Sequence, residues 1–585
     1  MSDSKSLAAT HIARALARFV SGTDGVTTPA APEVASMLAA PPKPEMGDFA
    51  FPCFTLARSL RQAPPAIAAQ LARLVAEEAG PDAARVEAAG PYVNIKLDPA
   101  ARAARVVSAA LHPRWGEWGD GQGRTVSIDF SSPNIAKPFG IGHLRSTAIG
   151  HALANIHRAL GYRVVRINHL GDWGTQFGKL MAAFEAWGDE AALDADPIQH
   201  LYDLYVKFHQ EAQVDAALDD LGRAWFRRLE QGDATAHGYW QRFRALSLRE
   251  FHRIYDRLGV SFDHEWGEAY YNEMLDALVD DVKAAGITEV SEGALVVKLD
   301  ELNLPPCLLL KADGATLYAT RDLAAARYRY EQFGFEKSLY VVGAPQSVHF
   351  KQVFAVLGRM NYPWASRCVH VPFGMILGIS TRKGTLVFLE EILDKGRDLV
   401  HQIMADREGF TDDERAVVAE QVAIGAIVFY DLSRGRIKDY PFEWDSILRG
   451  LRPGEHGPTG PYLQYTHVRL RSLEERYVER FGALPDPGDE VAWSALAHAD
   501  CEALIAGVER FAAVVRNAAE EYEPAVISRY LLELAEAFNS FYSSGQRVIS
   551  DDRPLSAARI ALVSAVRQTL AAGLGMLGVP LPARM

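Results

Sequence analysis

The stretch SSPNIAKPFGIGHLRS, residues 131–146, joins a predicted strand to a predicted helix. TVSIDF (125–130) precedes it with a strand-like alternation, and apolar residues follow it at helical spacing. In an open parallel sheet such a crossover lies at the carboxyl end of a strand, where a helix N-terminus attracts anions. Gly140 and Gly142 let a ligand approach the backbone, and His143 can donate to an oxygen. The stretch predicts an anion site, although a strand–glycine–helix junction alone is more often only a tight turn.

Strand patterns and helical patterns alternate along the centre of the chain. The other apolar strand candidates are YRVVRINHL (162–170), CLLLKA (307–312), KSLYVVGA (337–344) and RCVHVPFGMIL (367–377). This alternation predicts a Rossmann-type, doubly wound parallel sheet. Amphipathic helices over residues 181–258 interrupt the alternation, and we interpret them as a helical insertion.

The sequence predicts a multidomain α/β protein, because 585 residues exceed what one hydrophobic core usually supports. Residues 1–118 form a predicted α+β domain, with helical periodicity at 5–20 and 63–79 and a strand at 90–97. Residues 119–450 hold the parallel sheet. No strand pattern follows residue 450, so residues 451–585 predict an all-helical bundle.

Composition limits the class of protein. The formal net charge of −13 argues against nonspecific coating of DNA or RNA. The four cysteines are scattered without a C-x-x-C pair, which indicates neither a zinc ribbon nor a disulfide framework and fits a reducing cytoplasm. No segment approaches the roughly 20 apolar residues that a membrane span needs, so we expect no membrane partner.

Four further segments rich in polar residues each follow a predicted strand. They are INHLGDWGTQFGKL (167–180), YATRDLAAARYRY (318–330), VVGAPQSVHFKQVF (341–354) and MILGISTRKGTLVFLEEIL (375–393). The carboxyl ends of parallel strands share one rim of a sheet, and ligands bind at that rim. We therefore expect all of these segments to contribute to one site.

Taken together, these motifs resemble the class I arginyl-tRNA synthetases, over nearly the whole chain. SSPNIAKPFGIGHLRST resembles the family's nucleotide-binding loop, GDWGTQFG its second fingerprint, YATRD its arginine pocket and STRKG its mobile phosphate loop. TGPYLQYTHVRLRSL, AEAFNSFY and LGVPLPARM resemble its anticodon-binding domain. The resemblance implies an arginine–tRNA ligase, which activates L-arginine with ATP and transfers it to the terminal adenosine of tRNA(Arg).

The resemblance also implies a set of ATP-binding and catalytic residues. Those implied to bind ATP are Gly140, Gly142, His143, Asp172, Gly174, Gln176, Ser380 and Thr381. Those implied to neutralise charge on the phosphates are His143, Lys137, Arg382 and Lys383. Mg²⁺ is expected to bridge the phosphates without a dedicated protein cage, and no structural zinc is expected.

A planar guanidinium is best bound by a carboxylate in a bidentate pair. Tyr318 and Asp322 are one helical turn apart and face the same pocket. By resemblance they bind the guanidinium, Gln346 binds the amino-acid end, and Asn134 binds the α-amino or carboxylate group. Asp129 stands where the family usually has Glu. An alternative for Asp322 is an ion pair with Arg321 or Arg327 on its own helix.

The helical bundle carries aromatic and cationic residues of the kind that bind splayed RNA bases. The predicted tRNA-binding residues are Tyr462, Gln464, Tyr465 and Arg469, together with the neighbouring His467 and Arg471. The two tyrosines could equally belong to the core. The N-terminal domain resembles the family's domain for the tRNA elbow.

The chain departs from the family pattern at two places. Gly140 stands where the H-x-G-H pattern has its first His, and residues 378–382 (GISTR) replace the K-M-S-K-S lid. In the family, the lysine of the N-I-A-K-P run is held to compensate for a lost lid lysine, which makes Lys137 a candidate here.

These departures leave two alternatives open. One is a non-catalytic paralogue that binds tRNA or arginine. The other is a synthetase for another amino acid, which the set Tyr318, Asp322 and Gln346 opposes. The resemblance implies a cytoplasmic protein that is a monomer, as family members commonly are.

Overall fold

We describe the fold from a computed structural model of the chain. It describes residues 3–21, 27–378, 387–405, 407–451, 457–488, 491–545 and 547–585. No helix within these ranges carries an apolar stretch long enough to cross a bilayer.

The described residues contain the following β-strands and α-helices. The strands are β1 Phe49–Pro52, β2 Ala83–Ala89, β3 Tyr92–Leu97, β4 Thr125–Asp129, β5 Arg163–Ile167, β6 Glu289–Ser291, β7 Ala294–Leu299, β8 Leu304–Leu310, β9 Lys337–Gly343, β10 Cys368–Phe373, β11 Ile376–Leu377 and β12 Tyr440–Pro441. The helices are α1 Ser4–Phe19, α2 Ala31–Met37, α3 Ala57–Leu60, α4 Pro64–Ala79, α5 Pro99–Ala110, α6 Gly142–Ala159, α7 Thr175–Trp187, α8 Glu190–Ala195, α9 Pro197–Glu211, α10 Ala217–Glu230, α11 Ala234–Leu258, α12 Leu275–Ala284, α13 Tyr318–Phe333, α14 Ser347–Arg359, α15 Leu389–Ile403, α16 Asp412–Leu432, α17 Trp444–Ile447, α18 Gly460–Phe481, α19 Ala499–Glu521, α20 Ala525–Ser543 and α21 Arg553–Met576.

The N-terminal region is an antiparallel sheet of order β1-β3-β2 with α1 and α4 packed on it. Asp3 caps α1 by accepting from the backbone N–H of Ser6, and Pro64 begins α4, where a missing N–H has no cost. Their apolar faces bury Ile12, Leu16, Ile67 and Leu71 in one core. The α+β character predicted for this region is therefore present.

The central sheet is parallel and has the strand order β10-β9-β4-β5. Because the next strand in the chain after β4 lies on one side of it and β9 lies on the other, the order reverses at β4. In open α/β sheets, the crevice at such a reversal is where ligands bind. Residues 130–141, which follow β4, are placed at this point.

One predicted strand is present but pairs with other strands than those expected. Residues 304–310 form β8 as predicted around CLLLKA, but β8 belongs to an antiparallel sheet of order β6-β7-β8. An apolar run shows that a strand is buried but does not show which strand pairs with it. The segment 318–330 therefore follows an antiparallel strand and reaches the site by another route.

Residues 181–258 lie almost wholly in helices, from α7 to α11, as the predicted insertion requires. From residue 457 to the C-terminus the described residues form α18 to α21 and one short 3₁₀ helix, with no strand. By compactness the chain divides into one unit of residues 1–116, 465–514 and 530–572 and another of 117–464, 515–529 and 573–585. The predicted domain boundaries stay predictions.

Helix α6 packs on β4 at a residue without a side chain. A Cβ added at Gly150 would overlap the Cβ and ring of Phe130, which is fully buried just after β4. We expect Gly150→Ala to destabilise the protein by about 1–3 kcal/mol, because an overpacked core must shift its backbone. Thermal unfolding checks this, with Gly238→Ala as the matched control. Gly238 lies in α11 with open space around it, so this change should be neutral or stabilising.

Candidate active site

The segment after β4 is a tight, strained bend. Ser131, Ser132 and Ala136 have φ values of 71°, 51° and 59°, in the left-handed region that such residues rarely adopt. Side chains from elsewhere hold it: Ser146 accepts from the N–H of Ser131, and Asn168 from the N–H of Ser132. Strained backbone held in this way is often found at functional sites.

The bend is paired to the segment after β5. Ile135 N–H donates to the carbonyl of Gly171, and Gly171 N–H donates to the carbonyl of Pro133. A Cβ at Gly171 would overlap the side-chain oxygen of Asn134. This close approach fixes Asn134, a predicted arginine ligand, at the carboxyl rim of the sheet between β4 and β5.

Helix α6 begins at Gly142, which is exposed, so its first backbone N–H groups face outward from the rim. His143 packs on Phe139, with ring centroids 5.1 Å apart, and its Nδ1 lies 3.2 Å from the carbonyl oxygen of Gly140. Burial lowers the pKa of His143 and nearby Lys137 adds to this, so the imidazole is neutral at pH 7 and donates from Nδ1 to Gly140.

Lys137 lies over the ring of Tyr205, with Nζ 5.3 Å from the ring centroid. It lines a small groove with Gln176 and Phe177 of α7. Burial lowers the pKa of Lys137. A partly desolvated ammonium at this position interacts strongly with an incoming anion.

The predicted lid residues Ser380, Thr381, Arg382 and Lys383 lie outside the described residues. The segments on either side are described. On one side β11 pairs with β12. On the other, Leu389 N–H donates to the carbonyl of Phe139 and Ile141 N–H to that of Val387. The described residues that follow the lid segment in the chain therefore lie directly against the residues that precede His143.

Arg145, two residues after His143, was missed by sequence analysis. It is 1% exposed, and its Nε lies 2.9 Å from Asp431, which also accepts from the hydroxyl of Tyr440 in β12. Arg145 also donates to the carbonyl of Lys438 at 2.8 Å. These contacts fix the start of α6 to the strand that pairs with β11.

The second fingerprint gives a mixed result. Both carboxylate oxygens of Asp172 accept from protein groups, Oδ2 from Arg244 and Oδ1 from the N–H of Ala269. Asp172 is 1% exposed. We therefore correct its predicted role from ATP binding to a structural one, because its charge is already neutralised. Gly174 has a φ of 126° and precedes α7, whose first turn places Gln176 beside Lys137.

Asp129, at the end of β4, is buried and bound to Arg329 of α13 at 2.7 Å. It also accepts from the hydroxyl of Ser132. Arg329 donates in turn to Nδ1 of His169 at 3.2 Å. Asp129 therefore holds Arg329 in place, and its contact with arginine stays a prediction.

Asp322 lies at the same rim. Its Oδ2 is 2.5 Å from Nε2 of His349 in α14, and its Oδ1 is 3.9 Å from Nε2 of His169, which follows β5. The alternative pairing with Arg321 or Arg327 is absent: Arg327 binds Asp281 and Glu331, and Arg321 faces Asn272. Burial opposes the charge of Asp322, but His349 lowers the pKa of this carboxyl.

Two predicted arginine ligands are open to solvent. Tyr318, the first residue of α13, is 65% exposed, and Gln346 is exposed immediately before α14.

Glu268 lies in a 3₁₀ helix, Glu268–Met274, near Asp322 and Arg321, and burial raises its pKa to about 8. Sequence analysis missed Glu268, since a lone Glu carries no signal. Within the described ranges, no cluster of His, Cys, Asp or Glu is placed to hold a metal ion.

The predicted tRNA-binding residues of α18 differ in exposure. Tyr465 is 47% exposed, Tyr462 is partly buried, and Arg469 stacks over Tyr542 with 4.0 Å to the ring centroid. Gln464 is fully buried and donates to the carbonyls of Gln421 and Pro580. The prediction that it contacts tRNA is corrected, because its amide is used inside the protein.

Of the neighbouring residues, His467 is buried and Arg471 is exposed. His467 is 6% exposed, and burial lowers its pKa to about 4. Arg471 forms an ion pair with Glu475 one turn along α18. Tyr465 and Arg471 are therefore the exposed members of the predicted set.

Family models match three successive parts of the chain. Residues 107–444 match the catalytic domain of tRNA synthetases class I (R), residues 463–585 the DALR anticodon binding domain, and residues 6–97 the arginyl tRNA synthetase N terminal domain. This chain belongs to the class I arginyl-tRNA synthetase family. The resemblance and the fold class predicted from the motifs are confirmed.

Relatives of the family match over nearly the whole length. The arginine–tRNA ligase of Clostridium botulinum (strain Alaska E43 / Type E3) is 42% identical over 94% of this chain and 96% of its own length. That of Lactococcus lactis subsp. lactis (strain IL1403) is 43% identical over 98% of this chain and 99% of its own.

Solved structures agree on the fold. The arginyl-tRNA synthetase of Thermus thermophilus has a TM-score of 0.75 at 24% identity, covering 98% of this chain and 99% of that one. The enzyme of Plasmodium falciparum has a TM-score of 0.74 at 19% identity, covering 98% of each chain.

Proposed function

We propose that this member of the family ligates L-arginine to tRNA(Arg), with ATP converted to AMP and pyrophosphate. One observation carries the proposal. The carboxylate of Asp322 contacts histidines that follow β9 and β5, the two strands that flank β4. The helix that follows β4 begins at Gly142. A guanidinium ligand and a phosphate-binding helix start therefore share one rim, as a reaction between arginine and ATP requires.

The ATP end of the site would be formed by the start of α6. Its free N–H groups and positive dipole end suit phosphate oxygens, and the exposed Gly142 leaves room for the nucleoside. A phosphate beside Nε2 of His143 favours the protonated imidazole, which then donates from both nitrogens. Lys137 adds a second cation from the adjacent groove. Ser380, Thr381, Arg382 and Lys383 stay predicted phosphate ligands.

The arginine end would be formed by two carboxyl groups and three polar side chains. Asp322 supplies the negative charge for the guanidinium. Glu268, which burial keeps mostly protonated at pH 7, offers its carbonyl oxygen as a further acceptor, and Tyr318 stands at the entrance with its hydroxyl. Asn134 and Gln346 remain the predicted ligands of the amino-acid end. A site with two acceptors of this kind rejects lysine, because the shorter, non-planar cation leaves buried oxygens unpaired.

In the first step, a carboxylate oxygen of arginine would attack the α-phosphate of ATP in line with the departing pyrophosphate. Such a transfer depends on positioning and on neutralising charge. His143 and Lys137 neutralise charge on the phosphates. Mg²⁺ would supply further charge neutralisation at the phosphates, held mainly by substrate and water.

In the second step, the terminal adenosine of tRNA would attack the adenylate. Tyr465 and Arg469 stay proposed contacts with RNA, together with the partly buried Tyr462.

All four cysteines are free and buried, and burial raises the pKa of each thiol to about 11 or 12. Inert thiols fit the proposed cytoplasmic location. We also propose a monomer.

Aminoacylation tests the proposal directly. Purified protein, ATP, Mg²⁺ and a tRNA(Arg) transcript should incorporate labelled arginine into acid-precipitable RNA, whereas labelled lysine should give no incorporation. Charging with neither amino acid, in a protein that still binds the transcript, would contradict the proposal.

A second candidate is a non-catalytic paralogue, favoured by Gly140 in place of the first His of the H-x-G-H pattern. Gly140 is buried and pairs with Phe388 across the rim. We expect Gly140→His to change the rate of adenylate formation by less than tenfold, because the carbonyl of Gly140 still positions His143. A gain above tenfold would show that the missing donor limits the reaction.

A further inference from the structure

Asp322 belongs to a chain of interacting polar groups that crosses the rim of the sheet. Asp129 binds Arg329, Arg329 donates to His169, and His169 faces Asp322, which binds His349. The pair of Asp322 and His349 is partly exposed, with side-chain exposures of 20% and 23%. A ligand can therefore reach it.

The two imidazoles that face Asp322 differ in how their protons are held. A guanidinium can only donate, so Nδ1 of His169 accepts from Arg329 and cannot carry a proton. The single proton of His169 is then on Nε2, which faces Asp322. His349 has no cation bound to it and lies 2.5 Å from the carboxylate. Of the two, only His349 is free to hold a second proton.

We propose that His349 is a positioning residue that is protonated against Asp322 in the free enzyme and releases this proton when arginine binds. The inference rests on the proposed function, since it takes Asp322 as the ligand of the guanidinium. The arriving guanidinium is a cation that needs the same carboxylate, so two positive charges would compete for one negative charge. Releasing the proton removes the repulsion.

Electrostatics around the pair support this order of events. Burial opposes a charge on His349, but the hydrogen bond and charge of Asp322 outweigh it and raise the pKa of the imidazole. The other titratable or charged groups near the pair are Glu268, Cys307, Arg321, Arg329, His169 and His370. Burial lowers the pKa of His370, so it is neutral in the relevant range.

The mechanism also predicts how charge discrimination depends on His349. Arginine must displace the proton of His349 to reach the charge of Asp322, whereas citrulline, whose ureido group has nearly the same shape but no charge, leaves the proton in place. Protonated His349 therefore weakens the preference for a cationic over a neutral side chain, and this preference should be stronger once the imidazole is neutral.

The sign of the pH dependence follows from linkage. Below the pKa of His349, arginine must displace a proton, so its affinity rises with pH and levels off once the imidazole is neutral. We expect the Kd of arginine to fall by up to about tenfold per pH unit below the pKa of His349, which Asp322 raises above its usual value, and to level off above it. For His349→Gln, which keeps a donor to Asp322 but cannot titrate, we expect a change below twofold.

Glu268 is the one nearby carboxyl that could produce a similar signal, because burial raises its pKa to about 8. The test is therefore calorimetry of arginine binding to the full chain with tRNA(Arg), in buffers of different ionisation enthalpy, for wild type, His349→Gln and Glu268→Gln. We expect arginine binding to release a proton to the buffer in the wild type and in Glu268→Gln. We expect no such release in His349→Gln. All three proteins bind the same ligand, so any protons that arginine itself gains or releases contribute equally to each measurement and cancel in the comparison.

The outcomes separate the two claims. Arginine binding with no proton release, or release that persists in His349→Gln and vanishes in Glu268→Gln, would overturn the inference alone. Failure of the wild type to bind arginine at all would overturn the proposed function and the inference with it. Loss of release in His349→Gln, with arginine binding retained and citrulline rejected at least as strongly as by the wild type, would support the inference.

Discussion

Asp322→Ala should lower kcat/KM for arginine by about 10³-fold, the largest effect expected in this protein. Removing one member of a buried charge pair costs roughly 2–5 kcal/mol, because the remaining cation is left without its partner. In this case the guanidinium of the substrate loses its carboxylate, and His349 loses its 2.5 Å contact. Steady-state aminoacylation measured against arginine concentration checks the result.

Asp322→Asn is the matched control for this change. It keeps the shape and one acceptor oxygen but removes the charge, so it should fall between the wild type and Asp322→Ala. The KM for ATP should change by less than about threefold in both variants, since the proposed ATP site is at the start of α6. Wild-type efficiency in a folded Asp322→Ala variant would refute the pocket assignment.

His143→Ala should lower the rate of adenylate formation by about 10²–10³-fold, the range found when one donor to developing charge is removed. His143 lies in the first turn of α6 and packs on Phe139, so the loss is that of a positioned donor. Rapid-quench measurement of adenylate, with tRNA present, isolates this step from product release.

His252→Ala is the control for the loss of a histidine. His252 is an exposed residue of α11 that pairs with Glu265 and has no proposed role in the reaction, so its removal should leave the rate unchanged. His143→Asn, which keeps a short donor, should recover part of the activity. A His143→Ala variant with full adenylate formation would remove His143 from the catalytic set.

Local sequence patterns predicted the parts of the fold that repeat along the chain. The strands β4, β5, β9 and β10 and the helix after β4 were found because their apolar residues recur at periods of two or 3.6. Pairing of strands is not encoded in such periods. For that reason β8 was placed in the wrong sheet, although its position in the chain was right.

The site was predictable where a motif keeps its residues close in sequence. His143, Lys137 and the backbone of residues 131–141 lie in one bend, and the motif contains them all. Contacts between distant residues could not be read in the same way. Asp322 and His349 are 27 residues apart, and Asp129 and Arg329 are 200 apart. The first pair forms because α13 packs against α14, and the second because α13 also packs against β4.

Burial explains the remaining errors. Gln464 has the composition of an RNA-binding residue, yet its amide donates to two backbone carbonyls in the interior. Asp172 has the composition of a nucleotide ligand, yet Arg244 and a backbone N–H already satisfy it. A single polar residue in a helix or loop does not show which side faces the core, because periodicity averages over many residues.

Pyrophosphate exchange into ATP tests the central claim, that this chain activates arginine. The measurement follows labelled pyrophosphate in the presence of arginine, with and without tRNA(Arg), for the wild type and for Asp322→Ala. We predict arginine-dependent exchange when tRNA is present and its loss in the variant. No exchange under either condition, in protein that binds tRNA(Arg) normally, would contradict arginine activation by this chain and favour a non-catalytic paralogue.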